Sequence, residues 1–289
     1  MKLCLGTVQF GLNYGIENKK IEEKEIKKIL NKAISNNIYY LDTAQAYGNA
    51  EKLIGKYEQK EKFKIVTKIT SNSLLKKDSL EELRKIIFSS LKNLEIKTLD
   101  AILLHNTLDM KNLEFLKNLI LLKKEGIFNK LGVSIYSPKE AEEALLNKDI
   151  DYIQIPYNIL DTRLDKINFF EKAKKNNKVI FARSIFLQGT LLKEHFKYPN
   201  YLENLRQYDD ILNYEITKLG CTKLEFLLNF IKNNKNIDYI IIGIESYKHL
   251  EEIIKAYDCN KLNYYNFEKL REKFINVPEN ILNPSLWGK

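Results

Sequence analysis

Four residues of this chain, Asp42, Tyr47, Lys68 and His105, each lie at or just beyond the end of a short apolar run, and their types suit proton transfer to a carbonyl oxygen. A tyrosine, with a reference pKa of about 10, is a poor acid at neutral pH until a nearby cation stabilises its phenolate and lowers that value. Lys68 is the expected cation, and Asp42 the counter-ion that holds the ammonium in place. His105 would orient the carbonyl oxygen by a hydrogen bond and help stabilise the charge developing on it. Singly, each residue has a plainer reading. Asp42 could cap a helix, Tyr47 could be one of 17 tyrosines packing a loop, Lys68 a solvated lysine, and His105 a histidine merely hydrogen-bonded after a strand. Four polar groups converging on one rim from adjacent strands would imply chemistry, so the case depends on the elements that carry them.

Short β-branched or apolar runs occur at residues 3–5, 39–41, 64–67, 100–104, 130–133, 152–155, 179–182 and 239–242, each followed by a charged segment of helical period. Ser79-Leu80-Glu81-Glu82, Ser137-Pro138-Lys139-Glu140 and Thr222-Lys223-Leu224-Glu225 are capping-box sequences that start helices, the second with Pro at the first helical position. Eight strands alternating with helices require parallel pairing by right-handed crossovers. At this length they predict an α/β fold, a single closed (β/α)8 TIM barrel over residues 1–289, whose chemistry sits at the C-terminal strand ends. Two helical stretches, 201–218 and 222–233, precede the eighth strand. One is expected to be the barrel helix and the other an insertion near the substrate mouth. A last helix over 267–275 leads to a short irregular tail, 276–289.

Composition excludes several classes. The chain has 289 residues, 44% of them hydrophobic, which is enough for a globular core. No apolar run approaches the roughly 18 residues needed to cross a bilayer, and the first residues lack a secretory pattern, so a cytoplasmic protein is expected. Cys4, Cys221 and Cys259 form no metal or disulfide spacing. The 47 basic against 38 acidic residues give +9, but only five are Arg and the lysines alternate with Glu along helices. That pattern is a solvated surface rather than a nucleic-acid groove.

With these residues in place the chain resembles the aldo/keto reductase family. Asp42-Thr43-Ala44-x-x-Tyr47-Gly48-x-x-Glu51 matches its signature, and the Asp, Tyr, Lys, His tetrad falls in the family's order. Leu5-Gly6-Thr7, Gly132-Val133-Ser134, Gln154-x-x-Tyr157-Asn158 and Leu187-Gln188-Gly189 correspond on other strands, over residues 3 to about 257. The resemblance implies hydride transfer between a nicotinamide and a carbonyl carbon, without metal, Tyr47 being the general acid. Ser134 and Gln154 would bind the carboxamide, and Gly6 and Thr7 would let the backbone approach the ring. Ser184, Phe186, Gln188 and Gly243 would lie along the pyrophosphate.

Departures from the family pattern shape the finer expectations. Ile135 follows Ser134 where the family usually has Asn. Arg183 stands where an aromatic residue usually stacks on the nicotinamide, which makes the pocket more receptive to an anionic substrate. Glu245 and His249 fall where NADPH-preferring members usually carry Arg or Lys. A carboxylate there favours a ribose 2′-hydroxyl and repels a 2′-phosphate, which points to NAD(H), although Lys248 could compensate. The resemblance itself implies NADP(H), which is the expectation, with NAD(H) as the alternative. The substrate expected is a small carbonyl compound such as a sugar derivative, with no nucleic-acid or membrane partner. The alternatives are a non-catalytic redox-sensing module on the same fold, or an enzyme using Lys68 as a Schiff-base nucleophile. Trp287, the sole Trp, is read as tail packing ahead of a lid residue.

Overall fold

A computed structural model describes residues 1–73, 79–194, 198–259, 262 and 265–287. The first half runs β1 (Lys2–Gly6), α1 (Val8–Gly11), α2 (Glu23–Ser35), β2 (Tyr40–Asp42), α3 (Ala50–Gly55), β3 (Lys64–Ile69), α4 (Leu80–Leu94), β4 (Leu99–Leu104) and α5 (Leu113–Lys124). Then follow β5 (Phe128–Ser134), α6 (Pro138–Leu146), β6 (Tyr152–Pro156), α7 (Phe169–Lys175), β7 (Val179–Arg183), α8 (Arg206–Leu219), α9 (Lys223–Asn233), β8 (Tyr239–Ile242) and α10 (Tyr247–Asp258). Two short helices, α11 (Glu268–Lys273) and α12 (Glu279–Leu282), close the order. The eight strands form a closed barrel in sequence order, all parallel, with β8 pairing back to β1. This is the (β/α)8 TIM barrel expected.

Successive strand residues face opposite sides of a sheet, so each inward residue is followed by another two positions on. One layer of the barrel interior holds Tyr40, Val66, Leu103, Tyr152 and Phe181. The residues two places further along the same chain segments are Asp42, Lys68, His105, Gln154 and Arg183. Register sets Asp42 between Gly6 and Val66, Lys68 beside Leu103, and Ser134 beside Gln154, the stagger expected of tilted barrel strands. The outward strand faces pack on the apolar stripes of the helices in one continuous core.

The helix starts follow the capping chemistry. Ser137 and Thr222 form full capping boxes with Glu140 and Glu225, and the Ser79 side chain accepts from the Glu82 amide. The insertion is α8, and its position corrects the expectation that it sits near the mouth. Tyr208 packs edge-on to Phe274 at 6.2 Å, and Glu215 accepts from Tyr265 and Lys273, so α8 clasps the C-terminal segment. None of its residues lines the cavity at the strand ends. The tail is also less irregular than expected. Pro278 precedes α12, and Asn283 caps a 3-10 turn at Pro284–Leu286 by accepting from the Ser285 amide. Trp287 donates to the Ile281 carbonyl at 3.2 Å and lies beside Tyr201, the packing role expected of it. Residues 288–289 of that tail lie outside the described residues. Among the described residues no helix is long and apolar enough to cross a membrane.

Candidate active site

A cavity of about 300 Å³ opens at the C-terminal ends of the strands. It is lined by all fifteen residues singled out from the sequence: Gly6, Thr7, Asp42, Tyr47, Lys68, His105, Ser134, Gln154, Arg183, Ser184, Phe186, Gln188, Gly243, Glu245 and His249. Its centre is a buried ion pair. Lys68, 1% exposed, places its ammonium 2.7 Å from both carboxylate oxygens of Asp42 and donates to the Thr43 carbonyl at 3.0 Å. The same ammonium lies 3.5 Å from the Tyr47 hydroxyl. The His105 ring meets the Tyr47 ring edge to face, with centroids 6.2 Å apart.

Tyr47 belongs to a loop rather than a strand, and main-chain contacts fix that loop. A Cβ added to Gly11 would fall 1.7 Å from the Tyr47 carbonyl oxygen, and one added to Gly48 would fall 2.8 Å from the Gly11 oxygen. Gly48 also has φ +58°, a conformation costly for other residues. Beyond the turn, Glu51 reaches under α3 to accept from Thr67 at 2.8 Å, which ties the loop to β3. The last residue of the signature is therefore an anchor for the tyrosine.

Burial sets the protonation states and corrects one expectation. Desolvation raises the Tyr47 phenol above its ordinary value; the opposing pull of Lys68 is the smaller effect, and Asp42 works against that pull. The phenol is not lowered, as the sequence suggested; it rests protonated. For Lys68, burial alone would lower the value, but Asp42 and Tyr47 reverse this and hold it raised. Burial and then Lys68 push His105 down to about 4, so its imidazole is neutral at neutral pH. A permanently charged, ion-paired Lys68 is poorly suited to Schiff-base attack, which needs a neutral amine.

The rest of the cavity offers neutral polar groups and backbone. The amide nitrogen of Gln154 donates to Asp42 at 2.7 Å, which leaves its oxygen turned to the Ser134 hydroxyl at 3.5 Å. An acceptor and a hydroxyl side by side complement a primary carboxamide. After β7 the chain turns through left-handed residues Ser184, Leu187 and Gln188. Opposite, an added Cβ at Gly243 meets nothing within 4 Å, so space is left between this turn and the start of α10. Such a concave backbone beside a helix start suits phosphate oxygens. The residues present thus fit a nicotinamide dinucleotide. A second hollow adjoins the first and is lined by Glu17, Lys193, Glu245, Ser246, Lys248, His249 and Glu252 among others.

Sequence reasoning missed Gln9, Tyr14, Tyr136 and Ile241, which also line the cavity. Ile241 and Tyr136 each lie two positions after a residue on the interior side, so periodicity could have found them. Gln9 and Tyr14 carry no such signal. Gln9 donates to the carbonyls of Tyr14 and Lys19, and Ile16 donates to the Gln188 carbonyl, so the segment after α1 crosses to the turn after β7. Among the described residues no group of three or more His, Cys, Asp or Glu is placed to hold a metal ion.

Comparison with known proteins agrees with the fold. The family model described as "Aldo/keto reductase family" matches residues 2–275. An aldo-keto reductase from Bacillus halodurans, solved in its holo form, superposes with a TM-score of 0.76 at 20% identity, covering 98% of this chain and 95% of that one. A thermostable aldo-keto reductase solved with the inhibitor epalrestat gives a TM-score of 0.69 at 25% identity, covering 94% and 93%.

Proposed function

From the premise that the chain belongs to the aldo/keto reductase family, and is an enzyme of that family, we propose that it reduces a small aldehyde, ketone or keto-sugar to the alcohol with Tyr47 as general acid. One observation carries the reading: the Asp42–Lys68 pair is buried directly beneath the Tyr47 hydroxyl in a cavity that His105 also enters. A nicotinamide dinucleotide held by Ser134, Gln154 and the turn after β7 would supply the hydride for the carbonyl carbon. Tyr47, protonated at rest, gives its proton to the carbonyl oxygen, and Lys68 stabilises the phenolate that remains. Neutral His105 donates its N–H to the same oxygen and fixes its position. Asp42 keeps the ammonium charged and aimed, and through Gln154 it also orients the groups that would hold the carboxamide.

NADP(H) is typical of the family and is the cofactor proposed, with Lys193 and Lys248 as the cations near the adenosine end. NAD(H) is the second reading, favoured by Glu245, whose carboxylate lines both hollows, and by the engagement of both lysines. Lys193 pairs with Glu17, and Lys248 lies 3.9 Å from Glu252. Calorimetric titration decides between them: tighter NADPH supports the first reading, and tighter NADH replaces it. We read residues 1–289 as one domain. The free thiols of Cys4, Cys221 and Cys259 support a reducing, cytoplasmic setting. The test of the whole reading is cofactor oxidation with a panel of aldehydes, ketoses and nucleotide-linked keto-sugars. Turnover of at least one class is expected, and a borohydride-trapped adduct on Lys68 would overturn it.

A further inference from the structure

Arg183 differs from every other arginine of the chain. Arg84, Arg163, Arg206 and Arg271 each lie within 4 Å of a carboxylate, namely Glu125, Asp161, Glu203 and Glu268. Arg183 has no carboxylate partner among the described residues. Its guanidinium donates to Ser134 Oγ at 3.4 Å, Ser184 Oγ at 3.2 Å and the Ile135 carbonyl at 2.9 Å, all neutral acceptors. It lies over the Tyr136 ring with 4.3 Å to the centroid, so its plane is fixed on one side. One N–H on each terminal nitrogen has no acceptor among the described residues.

The surrounding charges do not compensate it. In the same cavity the Lys68 charge is consumed by Asp42, and His105 and Tyr47 are neutral. Glu245, the other carboxylate lining the cavity, belongs to the β8 side, whereas Arg183 leans toward β5 through Ser134 and Ile135. A half-buried guanidinium without an anion is costly, and a ligand that supplies the anion recovers that cost. Two free N–H groups on a fixed plane suit a carboxylate or phosphate oxygen pair.

Resting on the reductase reading above, we propose that the preferred substrate carries an anionic group, carboxylate or phosphate, beside its reducible carbonyl, and that Arg183 is the residue that selects it. Matched pairs test this: butanal against 4-oxobutanoate, and glyceraldehyde against its 3-phosphate, each with wild type, Arg183→Gln and Arg183→Lys. The anionic member of at least one pair is expected to show kcat/KM about tenfold or more above its neutral partner at low salt. The advantage should shrink as salt rises, fall to about one in Arg183→Gln, and be partly kept in Arg183→Lys. The pair that responds identifies the anion as carboxylate or phosphate. Neutral and anionic members reduced equally overturn the proposal and leave the reductase reading standing; no reduction of any member overturns both. An anionic preference unchanged in Arg183→Gln, with cofactor affinity lost by calorimetry, assigns the guanidinium to the cofactor and overturns the proposal.

Discussion

Tyrosine, aspartate and lysine meet at both ends of the barrel, yet only one end sets a buried ion pair beside a phenol and a cavity. At the N-terminal end Tyr40, Tyr152 and Tyr239 surround Phe181, whose ring stacks on Tyr239 at 4.6 Å. Tyr152 donates to Asp100 at 3.1 Å, and the ammonium of Lys64, an exposed residue, lies over the Tyr40 ring. At the C-terminal end the lysine is buried against both oxygens of its aspartate, and a cavity lies above. Burial raises the tyrosines at both ends. The difference lies elsewhere: one end has a desolvated ammonium under a phenol with room for a substrate, and the other fills that room with rings. Residue types do not distinguish a site from a plug; the buried cation and the unfilled space do.

The strongest way to break the comparison is to remove one hydroxyl from each end. Tyr47→Phe is expected to lower kcat by about 10² or more, with dinucleotide binding retained by calorimetry; unchanged turnover would defeat the assignment. Next in size is the pH response of His105. Its folded value of about 4 lies below the ordinary 6.5 of a solvated imidazole, so the unfolded chain binds the proton first as pH falls. The stability it contributes is full above about 6.5 and is lost toward 4, roughly 2 kcal/mol by pH 5. Urea unfolding at pH 7 and pH 5 should show this loss in wild type and a smaller one in His105→Gln; equal losses would mean that the imidazole is solvated. At the other end Tyr152→Phe is expected to cost about 1 kcal/mol of stability through the lost bond to Asp100, while kcat stays within about twofold. A large fall in kcat would show the two ends to be coupled. The smallest effect belongs to Trp287→Phe, where turnover should be unchanged; a changed KM would make the tail part of the pocket.

How much of this was legible follows from the same geometry. All eight strands lay where apolar runs predicted them, because a closed parallel barrel buries both strand faces. That Asp42, Tyr47, Lys68 and His105 meet at one cavity was legible because strand ends share one rim in such barrels, and a period of two carries Tyr40 to Asp42 and Val66 to Lys68. What failed depended on contacts distant in sequence. The balance on Tyr47 was misread because Lys68 was weighed without the burial and the Asp42 charge that reduce its pull. The placement of α8 was misread because its partners, Phe274 and Lys273, lie more than fifty residues further along the chain.

The contact between Gly11 and the Tyr47 carbonyl has a consequence for how such a protein can change. The backbone of Tyr47, the proposed acid, is located by main chain against main chain rather than by the side chains that line the rest of the cavity. Substitutions at Tyr14, Tyr136 or Arg183 can therefore remodel what is accepted while the proton donor stays where it is. A Cβ at Gly11 would do the reverse, keeping those three side chains and displacing Tyr47. On the proposed reading, what is accepted and what gives the proton thus depend on different atoms of the same pocket.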